Sequence, residues 1–148
     1  MRVAFTHTLA STVTMAIDMR IQDFFAHSPH AVVGATRNRS KYGNRVLRAY
    51  LENALAVYPI HPSDSEIEGL TAYPDLHSLP IPVHGISIVT PPAVTEIIVE
   101  QAAESGIRHL WIQPGAESPR AIERAKSHGM NVIGGTSCIL LAFTEPVD

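Results

Sequence analysis

Short apolar runs closed by glycine or proline alternate along this chain with stretches whose apolar residues recur every three or four positions. His30 to Ala35 carries Ala31, Val32 and Val33 into Gly34, the pattern of a strand buried on both faces. From Gly43 onward, Val46, Leu47, Tyr50, Leu51, Ala54 and Leu55 fall at helical spacing, with Arg45, Arg48 and Glu52 on the other face. Ala56 to Ile60 reads as a second strand. Pro59 belongs near its end or on an open side, because proline cannot donate to a ladder. Val83 to Thr90 and His109 to Gln113 are further strands, stopped by Pro91-Pro92 and by Pro114-Gly115. Between them Val94, Ile97, Ile98 and Ala102 mark a helix that closes at Gly106. Ser118 as N-cap and Pro119 as first helical residue open another, running through Ile122 and Ala125 to Gly129. Asn131 to Ile133 and Cys138 to Phe143 supply a final strand or strand pair.

This repeated alternation with short connections predicts an α/β domain: a Rossmann-like, three-layer arrangement around a mostly parallel sheet of five to six strands. One domain over residues 18–148 is expected. Within it, Ile21, Phe24 and Phe25 read as a short lid or packing helix from Met19, closed by Ser28-Pro29. Residues 1–17 read as an extension, flexible or processed. His61 to Pro82, rich in proline, serine and aspartate, is an excursion with one weak strand, Leu70 to Tyr73.

The composition narrows the function classes. The chain has 148 residues, 45% of them hydrophobic, so it is long enough to bury a core without a disulfide or metal staple. Eleven Lys and Arg against fourteen Asp and Glu give a net charge of −3, which argues against nucleic acid as a partner. No apolar run approaches the length of a membrane span. The single cysteine, Cys138, excludes an internal disulfide and fits a reducing, cytoplasmic setting. The early Arg2 and the many hydroxyl residues before Asp18 have some likeness to an organellar presequence, which makes the mitochondrial matrix the alternative location.

In a doubly wound sheet, ligands bind beyond the carboxyl ends of the strands. The loops there read Gly34-Ala35-Thr36-Arg37-Asn38-Arg39-Ser40-Lys41-Tyr42-Gly43, then His61-Pro62, Thr90-Pro91-Pro92, Gln113-Pro114-Gly115-Ala116 and Gly134-Gly135-Thr136-Ser137. Between Asp23 and Glu52 there is no acid, yet Arg37, Arg39, Lys41, Arg45 and Arg48 all lie there. A cationic loop leading into a helix N-terminus is suited to phosphate. The loop lacks G-x-G-x-x-G, and no acid closes the second strand, so a dinucleotide such as NAD is disfavoured; a Walker A motif is missing too.

These segments resemble the small stand-alone CoA-binding domain proteins, related to the CoA-binding portion of the succinyl-CoA synthetase alpha subunit. The likeness is carried by Val32-Val33-Gly34-Ala35-Thr36 with Lys41-Tyr42-Gly43, by Val57-Tyr58-Pro59-Ile60-His61-Pro62, and by Gly69-Leu70-Thr71-Ala72-Tyr73-Pro74. Pro91-Pro92, Leu110-Trp111-Ile112-Gln113-Pro114-Gly115 and Cys138-Ile139 complete it. It implies coenzyme A or an acyl-CoA as cofactor, lying across the strand ends. Gly34, Ala35, Thr36 and Lys41 would meet phosphates, and Pro62 would border the nucleotide. Thr90, Pro91 and Pro92 would line the adenine side, and Gln113, Pro114 and Gly115 would approach the pantetheine arm. The chain departs from that pattern at His61, where the family usually has asparagine, at Asn38-Arg39, often Asn-Pro, and at Thr136-Ser137, where Asp-Arg often precedes the cysteine.

Other chemistry has less support. The histidines lack metal-ligand spacing. His61 reads as a loop residue, His84 and His109 as structural, and Trp111 as core. Cys138 reads as a small buried apolar group, with thiol exchange with CoA as the alternative. The expectation is a non-catalytic CoA-binding module acting as carrier, sensor or regulator. A subunit of a CoA-linked transferase or ligase, or an NAD(P)-dependent oxidoreductase, is the enzymatic alternative, and a domain without ligand a third. A homodimer or an unidentified protein partner stays open.

Overall fold

Every strand of the main sheet points the same way, because a helix or a longer excursion carries the chain back across the sheet before the next strand begins. The computed structural model describes residues 19–135 and 138–144, so the expected extension over residues 1–17 lies outside the described residues. Helix α1 (residues 19–24) leads into β1 (His30–Val33), α2 (Tyr42–Glu52) and β2 (Val57–Ile60). The excursion that follows forms a small antiparallel hairpin, β3 (Glu66–Ile67) and β4 (Leu70–Thr71), and one 3-10 turn (Leu76–Ser78). Then come β5 (Gly85–Ile88), α3 (Pro92–Glu104), β6 (His109–Ile112), α4 (Pro119–Ser127), β7 (Asn131–Gly134) and α5 (Ile139–Thr144). The sheet order is β2-β1-β5-β6-β7, an all-parallel Rossmann-like arrangement.

Alternation along each strand divides the core into two layers. Ala31, Val33, Ile86, Ile88, Leu110 and Ile112 face α3 and α4, where Ile98, Val99, Ala102, Ala121 and Ala125 close over them. Val32, Trp111 and Ile133 face the other way, onto Val46, Leu47 and Tyr50 of α2, Phe24 of α1 and Ile139 of α5. The buried Tyr50 hydroxyl meets Ser87 Oγ at 2.8 Å, so this polar pair stays satisfied inside the core. The expected packing helix is present, with Phe24 fully buried.

Two local features had physical alternatives. Pro59 lies inside β2, yet its carbonyl points outward and accepts from Tyr73 N–H at 3.0 Å. Its missing donor therefore falls on the outer side and spares the ladder to β1. The segment Cys138 to Phe143, expected as a strand, is instead the short helix α5. Ile139, Leu140, Leu141, Ala142 and Phe143 are apolar at every position, so their pattern has no period to separate strand from helix. As a helix, the segment buries Ile139 and packs Leu140, Ala142 and Phe143 against the layer built on α2, while Leu141 stays 64% exposed. No described helix is long and apolar enough to cross a membrane.

Candidate functional site

From β1 the chain proceeds outward to β2, and then crosses back to β5 on the other side of β1, so strand order reverses between β1 and β5. Beyond the carboxyl ends of those strands the loops diverge and leave a crevice. Here a cleft of about 600 Å³ opens between Tyr42 of α2, the Val89-Thr90-Pro91 turn after β5, the Pro114-Gly115-Ala116 turn after β6, and Cys138.

One wall depends on two glycines. Gly34 has φ +97°, and a Cβ there would lie 1.9 Å from the carbonyl oxygen of Val89. A Cβ on Gly43 would lie 2.1 Å from the carbonyl oxygen of Gly34. The start of the loop and the first turn of α2 thus press together at backbone distance, which only glycine permits. The loop of residues 35–41 is a lariat pinned at its neck. Inside it, Asn38 Oδ1 accepts from the Ser40 N–H at 3.1 Å and from the Ser40 hydroxyl at 2.7 Å, and Asn38 N–H donates to Thr36 Oγ1. Arg37, Arg39, Ser40 and Lys41 are exposed. Among the described residues Arg37 and Lys41 form no ion pair. Lys41 is the N-cap residue of α2, and no side chain caps that helix, whereas Ser118 caps α4 through Ala121 N–H at 2.9 Å. Unsatisfied first-turn N–H groups beside unpaired cations have the chemistry to cradle an anion.

Gln113, expected to approach the pantetheine arm, is fully buried and does not line the cleft. Its oxygen accepts from the Tyr42 hydroxyl at 3.0 Å and from Ile139 N–H at 2.9 Å, so it braces Tyr42 and α5 from beneath. Tyr42 also contacts the Cys138 thiol. Burial, and then the Cys138 contact, push the Tyr42 hydroxyl well above the ordinary tyrosine range, so it remains a neutral donor. Cys138 is half-buried and lines the cleft, rather than lying in the core. Thr90 Oγ1 meets the buried Thr95 Oγ1 at 2.7 Å, which fixes the Pro91-Pro92 start of α3. Pro114 and Gly115 are exposed, and Gly115 N–H is taken by Glu117 Oε1 at 2.7 Å.

His61 stands apart from the cleft, at the end of β2. Its Nδ1 accepts from Asp64 N–H at 2.9 Å and Ser63 N–H at 3.1 Å, closing its own turn, with Pro62 exposed beside it. Three residues absent from the sequence-based set support the cradle. Asn44, fully buried, donates to Thr36 O at 2.8 Å and to Glu68 Oε2 at 3.0 Å. Arg48, on the polar face of its helix, donates to Asn44 Oδ1 at 2.7 Å and to Arg39 O at 3.0 Å. The hydrogen bond from Asn44, helped by the Arg39 charge, holds the Glu68 carboxyl below the usual range. A polar residue in the first turn of α2 was the one sequence signal for Asn44. Glu68 carried none.

A doubly wound parallel sheet with an anion cradle and an adjoining cleft at its switch point defines a nucleotide-binding type of α/β domain. Residues 29–144 match the CoA binding domain family, and the chain belongs to it. A conserved hypothetical protein from Pyrococcus furiosus is 37% identical over 78% of this chain and 99% of its own, with a TM-score of 0.74. A hypothetical protein from Pyrococcus horikoshii shares the fold at a TM-score of 0.80 and 22% identity, covering 92% of this chain and 95% of that one. The ADP-forming acetate–CoA ligase II of Archaeoglobus fulgidus is 28% identical over an alignment of 126 positions that covers 77% of this chain. This chain spans about a fifth of that ligase, 19% of its length.

Proposed function

We propose that this domain holds coenzyme A or an acyl-CoA without transforming it, as a carrier, sensor or regulatory module. The observation that carries the reading is the junction of an uncapped, cation-rich helix start with a cleft of about 600 Å³ at the strand-order reversal, in a chain of the CoA binding domain family. In this reading Gly34, Ala35, Thr36, Ser40 and Lys41, with Arg37 and Arg39 above them, receive the phosphates, and Gly43 keeps the first turn of α2 close. Pro62 borders the nucleotide with His61 behind it. Thr90, Pro91 and Pro92 form the adenine side. Pro114 and Gly115 flank the pantetheine arm, and Gln113 acts from below through Tyr42.

Ligand-linked stabilisation tests this. Free ligand at about 100 times its dissociation constant stabilises the folded state by roughly 2.7 kcal/mol. The melting temperature rises with CoA, rises less with dephospho-CoA and does not move with NADH. A rise with NADH and none with CoA overturns the reading.

A further inference from the structure

Resting on the coenzyme A reading, we propose that Glu68 is a positioning residue: its carboxylate holds Arg39 by Nε and leaves the terminal guanidinium nitrogens for a ligand phosphate. Arg39 Nε donates to Glu68 Oε2 at 3.2 Å. Among the described residues neither terminal nitrogen of Arg39 has a hydrogen-bond partner, and its side chain is 66% exposed. A guanidinium is a rigid planar fork, so fixing one donor orients the others. The backbone of the same residue is fixed as well, since Arg39 O accepts from Arg48, Arg48 holds Asn44, and Asn44 donates to the same Glu68 oxygen. This closed ring ties the phosphate loop to α2 and to the β3–β4 hairpin.

A separate observation comes from the backbone. Glu68 has φ +50° and Gly69 has φ +79°, the two central residues of the hairpin turn. Such turns favour asparagine or aspartate at the first position, and a glutamate there is strained. The longer side chain is what reaches Arg39 and Asn44. Charge alone makes a carboxylate beside a phosphate site unfavourable. Repulsion and positioning therefore give opposite signs when Glu68 is shortened.

The experiment titrates CoA, and separately inorganic pyrophosphate, into wild type, Glu68→Asn, Glu68→Gln, Arg39→Ala and the double variant Arg39→Ala/Glu68→Asn. Asparagine suits the turn but falls short of Arg39, and glutamine keeps an acceptor for Nε without the charge. Glu68→Asn weakens both ligands about fivefold, the equivalent of one lost hydrogen bond. Glu68→Gln binds at least as well as wild type, and the double variant binds no more weakly than Arg39→Ala. Binding by Glu68→Asn equal to or tighter than wild type overturns the proposal, as does a fully additive loss in the double variant. If wild type takes pyrophosphate but not CoA, and the variants keep their order on pyrophosphate, the coenzyme A reading fails and the positioning role stands. Failure of wild type to bind either ligand overturns both.

Discussion

The two edges of the sheet are built on opposite terms. At the carboxyl ends of the strands, glycine, proline and small residues bring backbones close, α2 starts uncapped, and Arg37 and Lys41 stand without ion-pair partners among the described residues. At the amino ends, α1 and four histidines shut the structure. His30 Nε2 bonds to Phe24 O at 2.7 Å, and His84 Nε2 bonds to Asp23 O at 2.8 Å. The His84 and His109 rings stack at 4.1 Å, and His27 lies edge-on to His84 at 5.2 Å. Among the described residues no group of three or more His, Cys, Asp or Glu converges as a metal site. Ring packing and backbone acceptors account for the closed edge, and unfilled polar capacity defines the open one. One sheet thus separates what holds the fold from what is left for a ligand.

The largest way to break this contrast is Gly34→Ala. Its Cβ would meet a backbone oxygen at 1.9 Å, at a φ that disfavours any other residue. We expect a loss of about 4 kcal/mol, since backbone strain and a backbone clash add. A urea denaturation curve measures it. A loss below about 1 kcal/mol would mean that the lariat neck is not a tight backbone contact.

Next in size is the pH response of the closed edge. Burial lowers the His30 pKa from 6.5 to about 4; the Phe24 carbonyl opposes the shift, and the charges of His84 and His109 add to it. Among the described residues its buried Nδ1 has no hydrogen-bond partner. The unfolded chain takes up this proton near pH 6.5 and the folded chain only near pH 4. Stability from His30 is therefore fully present above pH 6.5 and falls toward pH 4, by about 3 kcal/mol in all. His30→Gln, which cannot take the proton, flattens that part of a stability-against-pH curve. An equally steep curve in the variant would assign the acid loss to other groups.

Much of this contrast is legible in the sequence, and unevenly so. Strands β1, β5 and β6 are short apolar runs with glycine or proline just beyond, so their place needs no tertiary information. The cationic loop shows itself because five cations fall in a stretch free of acids, between Gly34 and the middle of α2. Strand order leaves no local trace, and so the cleft between Tyr42 and the turns after β5 and β6 follows only from the general rule for such sheets. The contacts of Tyr42 with Gln113 and Cys138 span 71 and 96 residues, and nothing near Cys138 in sequence announces that it lines a cleft. Glu68 is the extreme case. Its function lies in a hairpin that reads as an excursion, and its partner is 29 residues away. The α5 segment failed for the opposite reason: it is apolar at every position, so its signal was strong but without a period.

The smallest effect on stability sharpens the contrast most. Lys41 and Arg37 are exposed and unpaired, so replacing either with alanine removes no packing and no ion pair among the described residues. We expect unfolding free energies within about 0.5 kcal/mol of wild type for each variant. CoA affinity falls about tenfold for each, the scale of one hydrogen bond to a charged group, and it responds less to added salt because fewer charges attract the ligand. Calorimetric titration at two salt concentrations, with a melting curve beside it, reads both quantities. The decisive point is their independence: a cation that serves the ligand lowers affinity and leaves the melting temperature alone, whereas one that serves the fold does the reverse. If Lys41→Ala lowers the melting temperature by several degrees and leaves CoA binding intact, the α2 start belongs with the closed edge, and the division of labour between the two ends of the sheet is wrong.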